Sequence, residues 1–380
     1  MKSFLTLALA ALVAAEVKPQ FKDVKIVANV TNPNLDRDSC GSVKMGNRAF
    51  WTCRDTQYKF PNGTWSFPFT NSAGWTDYNA DGSPKIQKGA PIGPGSTGDN
   101  NVLLMTGPQP GFPLFYPVGK DMCPESGVCQ NGLRWASWPD TPPVVTSTDE
   151  DGTITAYAFV AKSLLQGYIG INKQPPTSLF KLTYKPNDDP NVLPTVTVVD
   201  YDFWTDHEVG FGVYGNVVRN NYLYLYGKAA DEVSVMLARV PVFLVEQKFF
   251  YEYYVGGKWT RDKPAIDNTA AIIPNASSGG QGTYYWSDRY NSYFWVGQVF
   301  FDTNADFYIT SAPNPEGPWV EPYSLWKGAP NGNQELHSYT LQAHPHMVNP
   351  DKEDGIYVSW TQNDDVYITP LAFISFEYIF

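Results

Sequence analysis

The chain reads NNYLYLYG over residues 220–227 and RYNSYFWVG over residues 289–297. In each stretch a polar turn leads into a run of aromatic and aliphatic residues that ends at a glycine. This pattern is typical of a strand entered through a tight turn. A turn that ends in tryptophan follows each stretch, at residues 257–259 and 317–319. The divergent repeat predicts a fold built from similar β units along the chain.

Short strand-like runs occupy most of the sequence, and helical periodicity is nearly absent after residue 15. The clearest predicted strands are residues 47–53, 154–160, 195–199, 222–226, 233–240, 284–286, 293–299, 307–309 and 356–360. A chain of this length with regular short strands suits five blades of roughly 70 residues each. We therefore predict an all-β, five-bladed β-propeller, with an irregular double sandwich as the alternative. No interior linker stands out, so residues 16–380 are expected to form one domain.

The first fifteen residues, MKSFLTLALAALVAA, have the order of a secretory signal. Lys2 precedes an apolar run from Phe4 to Val13, and small residues follow just before Glu16. The run is too short to span a bilayer. A buried N-terminal helix is the alternative. We expect residues 1–15 to be removed and the remaining protein to be soluble, secreted and extracellular.

Four cysteines follow this segment, and an even number in an oxidising compartment predicts two disulfides. The sequence-local pairing joins Cys40 to Cys53 and Cys123 to Cys129, and it is the simplest of the three connectivities. A zinc site is the alternative, but these spacings match no zinc motif. Three glycosylation sequons agree with secretion, and their acceptors are Asn29, Asn62 and Asn275.

The formal net charge of −11 argues against nucleic acid and anionic membranes as partners. It also makes a strongly acidic polymer a less natural substrate, although a local basic groove could overcome the overall balance. The many aromatic residues either pack as strand residues or stack on sugar rings. The candidates for stacking are Trp51, Trp204 and Trp286. We expect a monomer whose partner is a polysaccharide or oligosaccharide.

Residues 37–56 read RDSCGSVKMGNRAFWTCRDT and contain the most informative acidic residues. Asp38 precedes a glycine-containing turn, and Asp55 follows the apolar end of a predicted strand. In a propeller the innermost strand of each blade runs along the central channel, so residues at its end can converge from several blades. A Cys40–Cys53 disulfide would hold together the segments that carry both carboxylates. The alternative is that both aspartates only cap turns.

Several short motifs here resemble a known family. Asp38-x-x-Gly41-Ser42, a strand that ends Trp51-x-x-x-Asp55, and a later Phe-Gly strand entry are similar to five-bladed propellers first catalogued as a domain of unknown function. That family includes bacterial endo-D-arabinanases. Further matches follow in order at residues 138–139 (WP), 211–212 (FG), 222–227 (YLYLYG), 237–241 (LARVP), 317–319 (GPW) and 344–345 (HP).

The resemblance covers most of the chain after residue 15. It implies a glycoside-hydrolase site at the mouth of the channel, with acidic residues as catalysts. The chain departs from the family pattern in Cys40 and Cys53, and in Arg54, where a glycine is more typical.

Glycosidic cleavage explains why carboxylates are the groups to seek. One protonated carboxylic acid serves the leaving oxygen, and a second carboxylate acts as base or nucleophile on the opposite face of the sugar. Asp38 and Asp55 are therefore the leading catalytic candidates, with Asp140 and Glu208 as additional ones. An ordinary turn is the alternative for Asp140, and a solvated loop is the alternative for Glu208.

Basic and imidazole side chains could bind substrate, and the candidates are Arg37, Arg54, His207 and His344. Residues 337, 344 and 346 are histidines near the last blade, which we interpret as a polar site wall or as buried core residues. No metal or cofactor is predicted, since no calcium-binding loop pattern occurs.

Two other functions remain open. A lectin-like, non-catalytic propeller would use the same aromatic residues. A polysaccharide lyase would use Arg37, Arg54 or His207 beside a uronate. The sequence carries no signature of a serine esterase, a zinc protease or a nucleotide-binding enzyme.

Overall fold

The computed structural model describes residues 16–89, 101–107, 114–119, 122–123, 128–167, 169–300, 304–328, 338–349, 354–364 and 366–377. The predicted signal segment, residues 1–15, lies outside the described residues, and so does His337. The secondary structure within these ranges is almost entirely β, with two short 3₁₀ helices at Lys248–Phe250 and Thr269–Ala271. Neither of these helices, nor any other described segment, forms a helix with the length and hydrophobicity needed to cross a bilayer.

The described residues form twenty-six strands. The first fourteen are β1 (Gln20–Thr31), β2 (Leu35–Arg37), β3 (Gly41–Met45), β4 (Arg48–Cys53), β5 (Thr56–Tyr58), β6 (Ser72–Asp77), β7 (Ile86–Lys88), β8 (Asn101–Leu104), β9 (Leu133–Trp138), β10 (Val144–Thr148), β11 (Ile154–Gln166), β12 (Ile169–Gly170), β13 (Thr177–Tyr184) and β14 (Thr195–Trp204). The remaining twelve are β15 (Gly215–Arg219), β16 (Tyr222–Lys228), β17 (Val235–Pro241), β18 (Glu252–Val255), β19 (Lys258–Thr260), β20 (Gly279–Ser287), β21 (Ser292–Val299), β22 (Ala305–Ala312), β23 (Tyr323–Gly328), β24 (Ser338–Ala343), β25 (Gly355–Asp364) and β26 (Val366–Glu377).

These strands build the five blades of a β-propeller. Blade 1 is β3-β4-β6, blade 2 is β10-β11-β13-β14, blade 3 runs from β15 to β19, blade 4 runs from β20 to β23, and blade 5 is β24-β25-β26-β1. The short strands β9 and β12 pair with β11, β8 and β7 extend blade 5, and β2 and β5 form a separate ribbon. The prediction of an all-β, five-bladed propeller is confirmed, and the double sandwich is excluded.

The first and last described strands meet in blade 5. Strand β1 pairs antiparallel with β26, with Phe21 opposite Phe376 and Val24 opposite Ile374. The blade therefore combines the first and the last strands of the described chain. Such pairing joins the ends of the propeller and stabilises the ring, because neither end strand is left with an unpaired edge toward the other.

The stretch at residues 220–227 folds as the sequence predicts. The turn between β15 and β16 consists of Asn220 and Asn221, whose φ angles are 51° and 62°. Positive φ at both positions is the type I′ geometry, whose twist matches the adjoining strands, and asparagine tolerates it better than most residues. The turn sets the hairpin register, in which Arg219 lies opposite Tyr222.

Strand β16 is apolar on both of its faces because both are buried. Leu223 and Leu225 point into the core between blades 2 and 3. Tyr224 and Tyr226 point into the core between blades 3 and 4. The period-2 alternation of a strand thus divides one apolar run between two interfaces. Five such hydrophobic clusters occupy the five interfaces between blades.

The first strand of each blade lies at the hub. Strands β3, β10, β15, β20 and β24 contact one another in this order. The ring closes between β24 and β3, where the hydroxyl of Ser42 lies 2.7 Å from Nδ1 of His344. Residues at the ends of these five strands therefore meet at the two ends of the channel, although they are far apart along the chain.

Both predicted disulfides form, and they join Cys40 to Cys53 and Cys123 to Cys129. The zinc alternative is therefore excluded. The three sequon acceptors differ in exposure. Asn62 and Asn275 are exposed, whereas Asn29 is buried within β1 and could not carry a glycan without displacing its neighbours. Glycosylation at Asn62 and Asn275 stays a prediction.

Candidate active site

Two cavities lie at opposite ends of the channel. The first four residues of β20, Gly279–Gly282, line one of them, and Gly282–Trp286 line the other. We name the first the carboxylate mouth. It has a volume of about 530 Å³ and receives side chains from all five blades, among them Arg54, Asp140, Glu208, Gln281 and Tyr339.

We name the second cavity the histidine mouth. It has a volume of about 420 Å³, and its lining includes Ser42, Arg219, Trp286, Asp288 and His346. The acidic residues that the sequence singles out do not line it.

Asp38 lies just behind the wall of the carboxylate mouth. Its backbone N–H donates to the Asp55 carbonyl at 2.8 Å, and the Arg54 N–H donates to the Asp38 carbonyl at 2.9 Å. The side chain of Asp38 is 8% exposed and accepts a hydrogen bond from the Ser39 hydroxyl at 2.5 Å. Its other neighbours are Arg54 and the hydroxyl of Tyr339, both of which line the cavity.

The electrostatics of Asp38 differ from those of a surface aspartate. Burial raises the pKa of Asp38 to about 6, and the nearby Asp55 charge adds to this effect, although Arg54, Ser39 and Tyr339 oppose it. A carboxyl group with this pKa can hold a proton in mildly acidic solution and release it near neutrality. That property is the one that a general acid requires.

Asp55 is also buried, but its environment is different. Its carboxylate forms a bidentate ion pair with Arg134 of β9, in which Nη1 lies 2.8 Å from Oδ2 and Nη2 contacts Oδ1. The indole N–H of Trp138 donates to Oδ1 at 2.9 Å. Both oxygens of Asp55 therefore have donors, and the pairing is of the strong, charge-assisted kind. This arrangement suits a structural ion pair.

Asp140 faces the cavity from the segment between β9 and β10. Its Oδ1 accepts from Nε of Arg54 at 2.6 Å and also from Nη2, and no described residue donates to its Oδ2. The Arg54 guanidinium lies over the Trp138 ring, with 5.1 Å between its carbon and the ring centroid. Burial works to lower the pKa of Arg54, but Asp140 and Asp38 outweigh it and raise that pKa above its usual value. Arg54 is therefore a cation held between two candidate carboxylates.

Glu208 lies in the same cavity but is tied by other contacts. Its carboxylate accepts from the Thr205 backbone N–H at 2.8 Å and from the Lys263 ammonium. Burial would raise the pKa of Glu208, but these contacts outweigh it and lower that pKa. The adjacent His207 was a substrate-binding candidate, yet its side chain is 84% exposed and does not line the cavity.

The three tryptophan candidates do not stack at the carboxylate mouth. Trp51 is fully buried, donates to the Thr76 hydroxyl at 2.8 Å and packs on the His344 ring. Trp204 is also buried and donates to the Phe211 carbonyl at 2.9 Å. Both are core residues. Trp286 lines the histidine mouth instead. Aromatic composition could not separate these positions, because core strands and sugar-binding loops use the same residue types.

Two more binding candidates are structural. Arg37 is buried, its Nε donates to the Ser72 hydroxyl at 3.2 Å, and it does not line the carboxylate mouth. His344 is fully buried between two hydroxyls, with Nδ1 2.7 Å from Ser42 and Nε2 2.8 Å from Ser359. Both are therefore corrected from substrate-binding residues to buried residues of the scaffold. Within the described ranges, no group of three or more His, Cys, Asp or Glu side chains is arranged to hold a metal ion.

Sequence reasoning missed several residues that line or adjoin the carboxylate mouth. Tyr339 contacts Asp38 and lines the cavity. Lys228 lies 3.9 Å from the Tyr214 ring centroid, and burial lowers its pKa to about 7. Arg134 neutralises Asp55. These residues lie in β9, β16 and β24, whereas the carboxylates lie in the segments between strands, and they follow no local motif, so only the arrangement of the blades could reveal them.

The fold has counterparts among solved structures, although the sequence matches no protein-family model and no curated protein. The crystal structure of a “putative hydrolase” from Bacteroides ovatus aligns with a TM-score of 0.59 at 15% identity, covering 90% of this chain and 87% of that one.

Two further solved structures align less closely. A family 117 glycoside hydrolase of the marine bacterium Zobellia galactanivorans has a TM-score of 0.45 at 9% identity and covers 94% of this chain and 91% of that one. An exo-1,5-α-L-arabinanase from a bovine ruminal metagenomic library has a TM-score of 0.40 at 10% identity, with coverages of 92% and 99%. At such identities the likeness concerns the fold. Fold and site together define a five-bladed propeller with clustered carboxylates at one end of its channel.

Proposed function

We propose that this protein is a secreted glycoside hydrolase that cleaves a polysaccharide at the carboxylate mouth. The observation that carries the proposal is the environment of Asp38. A buried carboxyl group with a pKa of about 6 lies within one cluster with Asp55 and Asp140, beside a cavity of about 530 Å³. A cavity of this size falls in the range that small-molecule sites occupy.

Asp38 and Asp140 have different roles in the proposed reaction. Protonated Asp38 gives its proton to the leaving glycosidic oxygen as the bond from that oxygen to the anomeric carbon breaks. Asp140, whose Oδ2 has no donor among the described residues, takes a proton from the attacking water, and the water oxygen bonds to the anomeric carbon. One water is consumed, and the proton that Asp38 loses is balanced by the one that Asp140 gains. Arg54 keeps a positive charge beside both groups.

The substrate class follows the resemblance stated from the sequence. An arabinan-like or other cell-wall glycan is the proposed substrate. Two structural facts agree with an extracellular protein: both disulfides form, and two sequon acceptors are exposed.

The test is turnover by the purified protein, without residues 1–15, on a panel of arabinans and other plant, fungal and bacterial cell-wall glycans. New reducing ends are measured. Asp38→Asn and Asp140→Asn should each lower kcat by roughly 10²–10⁴-fold, which is the usual contribution of a general acid or base. Asp188→Asn, in an exposed turn, is the matched control and should retain activity. Unchanged turnover in both site variants would refute the assignment.

One observation favours a second candidate, a lectin-like propeller that binds a glycan without cleaving it. Asp55, Asp140 and Glu208 are each paired with a cation, so three of the four acidic candidates are neutralised in pairs. This candidate predicts that the glycans which bind are recovered intact, and that Asp38→Asn leaves their affinity unchanged. A lyase would instead give unsaturated products, which absorb ultraviolet light where hydrolysis products do not.

A further inference from the structure

Two strained residues meet behind the carboxylate mouth. Ser39 and Thr340 have φ angles of 52° and 53°, in the left-handed region that disfavours a β-branched residue such as threonine. Their hydroxyl oxygens lie 2.6 Å apart, although the two residues are separated by 301 positions in the chain. Strain of this kind persists only where the surrounding structure imposes it, and such positions cluster at functional sites.

The two hydroxyls are the middle members of a longer row of hydrogen-bonded side chains, which runs from Asp38 through Ser39 and Thr340 to Gln281. The Ser39 oxygen lies 2.5 Å from Oδ1 of Asp38, and the Thr340 oxygen lies 2.7 Å from Oε1 of Gln281. Gln281 lines the carboxylate mouth. Ser39 is 1% exposed and Thr340 is 3% exposed, so bulk water does not reach the middle of the row. A continuous row therefore connects Asp38 to the cavity wall.

A count of hydrogens shows that all hydrogen bonds along this row must be donated in the same sense. Its three contacts need three hydrogens, but the two hydroxyls supply only two. The third must come from one end. Either Asp38 is protonated and donates to Ser39, with Oε1 of Gln281 accepting at the far end, or Asp38 is ionised and the amide nitrogen of Gln281 donates to Thr340. The oxygen and nitrogen of a glutamine amide exchange places by a simple flip.

We propose that Ser39, Thr340 and Gln281 are positioning residues that couple the protonation of Asp38 to the orientation of the Gln281 amide in the cavity wall. A sugar oxygen that accepts from the Gln281 nitrogen keeps Oε1 toward Thr340 and so favours protonated Asp38. Substrate binding would thereby favour the protonated form of Asp38. The catalytic meaning of the row rests on the proposed function, whereas the coupling itself does not.

The test measures the pKa of the Asp38 carboxyl group directly, in the complete chain and without substrate. The aspartate carboxyl carbons are isotope-labelled and followed by NMR as the pH is changed. The signal of Asp38 is assigned by its absence in Asp38→Asn. Thr340→Val keeps the β-branched shape but removes the group that accepts from Ser39 when Asp38 is protonated. It should lower the pKa of Asp38. Ser39→Ala removes the donor to the ionised carboxylate and should raise that pKa. Shifts of roughly one pH unit in opposite directions are expected, since hydrogen bonds to charged groups have this magnitude.

Matched variants distinguish an effect of the row on the pKa of Asp38 from a general disturbance of the fold. Thr340→Ser restores the hydroxyl and should return the pKa to that of the wild type. Gln281→Met removes the far end and should lower the pKa, as Thr340→Val does, and it tests the same step if Thr340→Val fails to fold. Shifts of the same sign in Ser39→Ala and Thr340→Val, or no shift in Thr340→Val and Gln281→Met, would overturn the proposal.

The outcome is independent of the proposed function. Opposite shifts without turnover on any glycan would support the row and reject the hydrolase. Turnover that depends on Asp38, without these shifts, would support the hydrolase and reject the row.

Discussion

The two ends of the channel are built from the same five inner strands, yet their chemistry differs. The carboxylate mouth places Asp38 among buried groups, with Arg54 and Arg134 binding the neighbouring carboxylates. The histidine mouth has an acidic residue too, but the side chain of Asp288 is 86% exposed. The difference shows that burial, more than residue type, decides which end can hold a carboxyl group with a raised pKa. Variants paired across the two mouths test this comparison.

The largest expected effect is on stability at the carboxylate mouth. Arg134→Met should lower the free energy of unfolding by about 3–5 kcal/mol, because it leaves the buried carboxylate of Asp55 without its counterion. Arg219→Met is the counterpart at the histidine mouth, where the partner Asp288 is exposed, and it should cost no more than about 1 kcal/mol. Denaturant unfolding measures both. Equal losses would contradict the difference drawn between the two ends.

The next effect is the pH dependence that Asp38 confers. Its pKa is about 6 in the folded protein and roughly 3.9 in the unfolded chain. Protonated Asp38 therefore stabilises the fold at low pH, and this contribution is lost as the pH rises through about 6. Asp38→Asn does not undergo this loss, so its free energy of unfolding relative to that of the wild type should increase by about 2–3 kcal/mol between pH 4 and pH 8. Burial also raises the pKa of Asp36, to about 7. Because Asp36 titrates in both proteins, its contribution to the pH dependence largely cancels in the comparison.

The opposite sign is expected at the histidine mouth. Burial lowers the pKa of His346 to about 4, so its contribution is present above the ordinary histidine pKa and is lost as the pH falls toward 4. Relative to the wild type, His346→Gln should gain about 2–3 kcal/mol of stability as the pH falls from 7 to 4. Urea unfolding at both pH values gives the difference. A gain on raising the pH instead would show that the imidazole is not held neutral by burial.

The smallest expected effect is on kcat/KM, which we compare between variants at the two mouths. Tyr339→Phe removes the hydroxyl beside Asp38 and should reduce kcat/KM by about 10-fold, which corresponds to one hydrogen bond. Trp286→Ala, at the histidine mouth, should change kcat/KM by less than about 2-fold. Steady-state kinetics on the glycan that the panel identifies will measure both. A large loss in Trp286→Ala would move the substrate to the other end of the channel.

Part of the site could be predicted from local sequence alone. Asp38 and Asp55 flank one hairpin, and the Cys40–Cys53 disulfide joins the segments that carry them. Their proximity could therefore be predicted without knowing how the blades are arranged. The partners that give these aspartates different properties come from elsewhere. Arg134 is 79 positions from Asp55, and Thr340 is 301 positions from Ser39. No spacing rule connects residues so far apart.

The failures among the binding candidates have one physical cause. Trp51 and Trp204 were chosen for residue type, and His207 for its place in an Asp-His-Glu run. Whether an indole faces a core or a cavity depends on which face of its strand is covered by the next blade. In Trp51 and Trp204 that neighbour buries the ring, whereas His207 extends into solvent.

By itself the sequence predicted many of the strands, the tight Asn220–Asn221 turn and the five-bladed β fold, and it favoured the local pairing of the cysteines, because each depends on local periodicity or short spacing. Only the tertiary structure decided which carboxylate is desolvated, which is bound to a guanidinium, and which mouth of the channel collects them. Those properties arise from the electrostatic field of side chains on different blades, and that field exists only when the ring is closed.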